Sequence, residues 1–260
     1  MKEKNFLVPS GMMEKALPAL RNPHFKLLAS HFIMIDAHSE QTHKQWRPHV
    51  AKTESTAKAH RYDEMHYVAC EFLKTVNVEG SFCEFGCYTG ISSAKLSIVA
   101  SLASKKLHVF DSFQGLPDVE EYGSPKQKKI YKKHQYNAGL KTVRDNVFLY
   151  GIPESVTLVP GWYSETLQDY SSCEKIACAF IDVDLCRSLE EVLDFVLPRI
   201  QKNGVIISHE AQDPDYLPVF EKYGLLDSDK YTQEGVGIGI VLADALAEHT
   251  NLCSFTKIGE

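Results

Sequence analysis

The chain of 260 residues has no hydrophobic run long enough to cross a membrane. Its longest apolar stretch, Phe25 to Ile35, is interrupted by Ser30 and His31. No secretory leader is visible, because Met1-Lys2-Glu3-Lys4-Asn5 has no long apolar segment behind it and Pro9, Ser10 and Gly11 intervene early. The expectation is a cytoplasmic protein. Excess positive charge is also missing: 28 Lys and Arg against 34 Asp and Glu give a net charge of −6. That balance argues against nucleic acid and anionic membrane as partners. The seven cysteines contain no C-x-x-C, since Cys83 and Cys87 are four apart and Cys173 and Cys178 five. They read as reduced core residues of a reducing compartment rather than as a zinc knuckle or a disulfide framework. Glycine is absent from residues 12–60.

That glycine-free stretch is helical in patches and carries His24, His31, His38, His43, His49 and His60. No H-x-x-x-H pair lies in a clean helix there, so it reads as a helical N-terminal extension over 1–60. It would pack on the main domain or on a second copy, giving a homo-oligomer. Over residues 61–76, Met65, Val68, Phe72, Leu73 and Val76 recur at helical spacing. Beyond Gly80 short apolar strands alternate with helices. Strands are expected at 82–85, 107–110, 156–159, 177–181 and 205–208, with helices at 91–104, 188–200 and 214–223. Residues 230–233 and 237–242 are expected to form an antiparallel pair. Such alternation implies right-handed crossovers and a mainly parallel, doubly wound sheet. The connection between the second and third strands is about 45 residues, far above the usual length of such loops. It carries Lys126, Lys128, Lys129, Lys132 and Lys133, then an apolar stripe of Leu140, Val143, Val147 and Tyr150. An insertion over 118–150 at this end of a parallel sheet is placed to act as a lid on a ligand.

The chemistry concentrates at strand ends. Glu84-Phe85-Gly86-Cys87-Tyr88-Thr89-Gly90 runs from strand through a glycine turn into a helix. Gly86 and Gly90 permit a tight turn and close approach of a ligand to backbone. The pattern is not the G-x-G-x-x-G dinucleotide fingerprint, because Tyr88 stands in it. One strand later, Asp111 is placed to accept hydrogen bonds from the two ribose hydroxyls of an adenosine cofactor. Asp182 and Asp184 follow the fourth strand, and His209 and Glu210 the fifth.

Asp111-Ser112-Phe113-Gln114-Gly115-Leu116-Pro117 resembles the D-S-F-x-G-L-P stretch of the macrocin O-methyltransferase-like family. Pro160-Gly161-Trp162-Tyr163-Ser164-Glu165-Thr166-Leu167 is similar to that family's P-G-x-F-x-x-T-L. Phe180–Leu185 resembles its L-D-x-D-x-Y, and Asn203–Ile207 its G-G-x-V-I strand. The resemblance covers roughly 62–243. It implies an α/β, Rossmann-like class I methyltransferase of residues 61–260, with a mainly parallel seven-stranded sheet, helices on both faces and a terminal antiparallel pair. The implied cofactor is S-adenosyl-L-methionine, held by Glu84, Gly86, Tyr88, Gly90, Asp111, Ser112, Phe113, Trp162 and Asp182. The acceptor would be a hydroxyl of a small molecule, such as a sugar or natural product. In the family the D-x-D and a D-D pair hold a divalent cation, usually Mg2+. Here the D-D pair is His209-Glu210. Two mechanisms follow: a cation on Asp182, Asp184 and Glu210, or a metal-free site in which His209, beside Asp182, takes the proton. Mutual repulsion of three carboxylates favours the cation. The alternatives are a nucleotide-dependent Rossmann oxidoreductase and a non-catalytic protein that binds S-adenosylmethionine.

Overall fold

A computed structural model of the chain describes residues 28, 31–38, 60, 62–211, 213–235 and 252–259. Seven strands form one sheet: β1 Ser81–Phe85, β2 Leu107–Asp111, β3 Val156–Pro160, β4 Ile176–Ile181, β5 Ile200–Ser208, β6 Tyr231–Gly235 and β7 Cys253–Lys257. Their order is β3-β2-β1-β4-β5-β7-β6. The first five run parallel, and β7 lies antiparallel between β5 and β6. β1, β2 and β4 are buried almost throughout, as strands covered on both faces must be.

The helices are α1 Tyr62–Lys74, α2 Ile91–Leu102, α3 Val119–Tyr122, α4 Gln127–Ile130, α5 Leu140–Tyr150, α6 Tyr163–Thr166, α7 Cys186–Val196 and α8 Leu217–Lys222. Alternation along each strand divides the core in two. On one face Phe82, Val109 and Phe180 meet Met65, Val68 and Phe72 of α1, Leu96 and Val99 of α2, and Val143 and Val147 of α5. On the other, Phe85, Phe110 and Ile181 meet Leu189, Val192 and Val196 of α7 and Phe220 of α8. Of the N-terminal region, residues 31–38 are helical, and Leu28, Phe32 and Ile35 join the first of these clusters. Buried Lys95 of α2 is paired with Asp36 at 2.6 Å. This part of the extension therefore shares the core of the main domain. His24, His43 and His49 lie outside the described residues.

Two expectations meet differences. The antiparallel partner expected at 237–242 lies outside the described residues, and the observed partner of β6 is β7. The helix expected over 188–200 ends at Val196, because β5 already begins at Ile200. The long connection after β2 divides in two. Its last part, α5, is a crossover helix whose Val143 and Val147 are core residues. Its first part is tied back on itself by Leu116 N–H to Gln135 O (2.8 Å) and His134 N–H to Leu116 O (2.9 Å). No helix among the described residues is long and apolar enough to cross a membrane.

Gly90 is the contact point between α2 and α5. It caps α2 in the left-handed region (φ +78°), and a Cβ there would lie 2.6 Å from Val143 Cγ1. Gly90→Ala is therefore expected to destabilise the fold by roughly 1–3 kcal/mol, through strain and overpacking together. Urea denaturation checks this, and an unchanged midpoint would show that α5 is not held against this turn.

Candidate functional site

The site follows from strand register. Phe85 pairs with Phe110 on one side and Ile181 on the other, and Ile181 pairs with Ser208. The next residue on each strand is therefore Gly86, Asp111, Asp182 and His209, one row across the carboxyl edge of the sheet. The strand order reverses between β1 and β4, where open α/β sheets bind their ligands. Gly86 (φ +82°) has no space for a Cβ, which would collide with the backbone carbonyl of Asp182. Its N–H donates to Phe110 O (2.9 Å), and Asp182 N–H donates to Phe85 O (2.9 Å).

A cavity of about 980 Å³ opens above this row. Of the residues proposed for the cofactor, Gly86, Tyr88, Asp111, Ser112, Trp162 and Asp182 line it. Glu84, Gly90 and Phe113 do not: they lie beneath the turn, with Glu84 fully buried and Phe113 in the core. Tyr88 adopts φ +46°, so it takes the left-handed geometry that a glycine would take more easily. Its ring meets Tyr136 edge to face at 5.6 Å, which brings the glycine turn against the insertion. The insertion supplies Tyr131, Lys132, Lys133, His134 and Tyr136 to the cavity wall, and Tyr163 and Tyr216 complete an aromatic lining. Lys132 and Lys133 were visible as part of the basic run and Tyr163 within its motif, whereas Tyr131, His134, Tyr136 and Tyr216 were not read from the sequence.

Asp111 accepts from Cys87 N–H (2.8 Å, Oδ2) and Phe113 N–H (2.7 Å, Oδ1). It thus caps its own turn, yet each oxygen keeps a second lone pair for a ligand hydroxyl. Burial raises its pKa, and the backbone donors oppose that rise. Glu84 accepts from Ser93 Oγ at 2.5 Å, while its other oxygen has no protein partner. Burial pushes its pKa up to about 8, against the opposing hydrogen bonds of Ser92 and Ser93.

The acids on β4 and β5 separate into distinct environments. Asp182 lies between two imidazoles, with His60 Nε2 at 3.0 Å and His209 Nδ1 at 3.4 Å. Burial would raise its pKa, but the two histidines hold it well below the usual carboxylate range. Burial pulls His209 down, and Asp182 overrides this to raise it to about 10. Asp182 thus favours the protonated form of His209, which competes with the proton-accepting role considered for it. Glu210 is occupied by Val183 N–H (3.2 Å) and Ser208 Oγ (2.9 Å), and burial raises its pKa well above normal. Asp184 sits at φ +60° and lines the cavity beside Tyr131. Burial and the neighbouring Asp182 push its pKa up to about 7.

The expected cation set was Asp182, Asp184 and Glu210. The structure groups Asp182 and Glu210 with His209, and His209 also with His60 and Glu64, within 4.8 Å in each group. Asp184 belongs to neither group. His60 and Glu64 were missed as site residues, although their i, i+4 spacing at the start of α1 is the visible signal.

A model of the macrocin-O-methyltransferase family matches residues 14–223, so the match begins well inside the N-terminal extension. A rhamnosyl-tetracenomycin-C 4'-O-methyltransferase of Streptomyces olivaceus is 28% identical over 180 residues, 66% of this chain and 67% of that protein. A demethyldecarbamoylnovobiocin O-methyltransferase of Streptomyces niveus is 30% identical over 139 residues, 50% of this chain and 52% of that protein. Among solved structures, the O-methyltransferase NovP superposes with a TM-score of 0.63 at 22% identity, covering 78% of this chain and 84% of that one.

Glu84 gives a pH signature of stability. Its carboxyl ionises near 4.5 in the unfolded chain but near 8 in the folded protein, so folding takes up a proton between these values. The stability it contributes is complete below the lower pKa and is lost as pH rises through the window. Glu84→Gln should remove this loss, gaining on wild type by on the order of 1–3 kcal/mol between pH 5 and pH 8. Urea midpoints at the two pH values test it; parallel profiles for the two proteins would refute the burial argument.

Proposed function

The chain belongs to the macrocin-O-methyltransferase family and is an O-methyltransferase, and on that premise we propose that it methylates a hydroxyl of a small molecule with S-adenosylmethionine as donor. One observation carries the reading. A single cavity runs from the Gly86 turn and Asp111, at the ends of β1 and β2, to the acids at the ends of β4 and β5. The nucleoside end of the donor fits against Asp111, whose oxygens retain lone pairs for the ribose hydroxyls. Ser112 and Trp162 line the same part of the wall, and Tyr88 joins it to the insertion. No third close approach by glycine is needed, because this donor carries no pyrophosphate.

The acceptor enters beneath Tyr131 and Tyr136. Its hydroxyl oxygen attacks the sulfonium methyl carbon in line, the carbon–sulfur bond breaks, and sulfur keeps the electron pair as a thioether. The hydroxyl proton must leave, and Asp184 is placed to take it. Its carboxylate faces the cavity, outside the paired cluster of Asp182, His60 and His209. Most of the rate comes from alignment of the two reactants in a closed site. The roof over 115–137 is joined to the loop after β5 by the ion pair of Lys126 with Asp213 (2.7 Å) and by a hydrogen bond from Ser124 to Asp215, and its Leu116 and Val119 pack on Leu185. The relatives act, by their names, on a rhamnosylated tetracenomycin and on a novobiocin precursor. A glycosylated or aromatic natural product of that size suits an aromatic-lined cavity of this volume.

Asp111→Ala should weaken S-adenosylhomocysteine binding by roughly 1–3 kcal/mol in calorimetry, because ribose hydroxyls lose their acceptor. Absence of binding to the wild type at millimolar ligand would overturn the cofactor reading. Asp184→Asn should bind the donor normally and turn over roughly 10²–10⁴-fold more slowly. Undiminished kcat in that variant would exclude Asp184 as the proton acceptor.

A further inference from the structure

The family resemblance implies Mg2+ on an all-carboxylate set, and the donors here do not fit that ion. Magnesium takes oxygen ligands in near-octahedral geometry and retains several waters. In this chain His209 stands among the carboxylates of Asp182, Glu210 and Glu64, and a second imidazole, His60, enters from the segment before α1. Asp184, the remaining acid of the expected set, stands apart beside Tyr131.

We propose that His60, Glu64 and His209 form a binding site for a first-row transition-metal dication, with Asp182 beside it as the partner of the other His209 ring nitrogen, Nδ1. One donor atom from each of the three lies within 4.8 Å of the others. His209 Nε2 is 4.0 Å from Glu64 Oε1, while Asp182 Oδ2 is 3.0 Å from His60 Nε2 and Asp182 Oδ1 is 3.4 Å from His209 Nδ1. Ligands about 2.1 Å from one metal are spaced about 3.0 Å in an octahedron and about 3.4 Å in a tetrahedron. Donor atoms spaced within 4.8 Å thus need to close by up to about 1.4–1.8 Å to reach coordination distances.

The donor chemistry points the same way. Two imidazoles with a carboxylate suit manganese, iron, cobalt or zinc, whereas a site for magnesium is built from oxygen. Burial is graded as a metal site requires. The side chains of His60 and Glu64 are 6% and 8% exposed, while His209 and Asp182 are 24% and 23% exposed at the cavity wall. The face toward the cavity is thereby left for a further ligand. His60 Nδ1 is buried without a hydrogen-bond partner, so packing against Phe180, with ring centroids 5.4 Å apart, fixes the ring and aims Nε2 at the cluster. Three carboxylates, Glu64, Asp182 and Glu210, share this buried space, and a dication would replace protons as the neutralising charge. The metal-free rival is an ion-pair network of the same residues. This inference goes beyond methyl transfer and is tested without turnover.

Full-length protein stripped by chelation would be titrated with Co2+ and with Mg2+ by calorimetry and visible absorption. One equivalent of Co2+ is expected to bind at least roughly 100-fold more tightly than Mg2+, with a visible ligand-field band. His60→Ala and Glu64→Gln should each weaken Co2+ by at least roughly tenfold, while Asp184→Asn leaves it unchanged. Glu64→Gln preserves shape and carries the test if His60→Ala misfolds. No stoichiometric Co2+ binding, equal affinity for Mg2+, thiolate charge-transfer bands from the cysteines, or undiminished Co2+ affinity in Glu64→Gln would each overturn the proposal. S-adenosylhomocysteine titrated into the same samples tests the cofactor reading separately, since either ligand can bind without the other.

Discussion

The close approach of the Gly86 turn to the backbone of Asp182 is the constraint on which the site depends. The two strand ends can lie this near only because residue 86 has no Cβ. The contact fixes β1 against β4 at the point where the sheet order reverses. With those ends locked, parallel register carries Asp111 and His209 into the same row. A side chain at 86 would separate the part of the cavity at the ends of β1 and β2 from the part at the ends of β4 and β5. The glycine thus serves the joining of two strands as much as room for a ligand. Gly90 serves packing of a different kind, giving way to Val143 rather than to a small molecule.

Five carboxylates crowd this edge, and each is accommodated differently. Glu84 is hydrogen-bonded to Ser93 and favours its neutral form. Asp111 is held by backbone N–H groups, Asp182 by two imidazoles, and Glu210 by Ser208 and Val183. Asp184 remains at the cavity wall with its proton affinity raised into the neutral range. A carboxylate already satisfied by strong partners is a poor proton acceptor, and one left at the wall with raised affinity is a good one. The same residue types therefore differ in hydrogen bonding and proton affinity by environment alone.

Much of this was legible in the sequence because the information is local. Apolar strands bounded by Gly86, Asp111 and Asp182 announce themselves, and their shared position after each strand predicts convergence. β7 was not legible, since Cys253-Ser254-Phe255-Thr256-Lys257 has little apolar character and pairs with strands distant in sequence. The long connection was read as one lid, yet its apolar stripe of Val143 and Val147 is what makes α5 a core helix. The periodicity was visible, but what it packs against was not. The role of His209 also depended on its surroundings: the pairing with Asp182 was expected, but its 3.4 Å approach and the second imidazole, His60, on the same carboxylate were not.

The N-terminal region shows most clearly how function here rests on tertiary packing. His60 and Glu64 meet His209 across more than half of the chain in sequence, so no spacing rule could have joined them to it. What joins them is α1, whose Met65, Val68 and Phe72 pack under the sheet beside Phe82 and Phe180. The same cluster takes in Phe32 and Ile35, and Lys95 secures Asp36. The helix at 31–38, α1 and the strands that carry the row of acids thus share one core. A change that loosens Phe32 or Phe72 acts on the pairing of His60 with Asp182 without touching any residue of the cavity. In this chain His60 and Glu64, both before the first strand, lie against the acids of the candidate site, and the family match also begins before that strand.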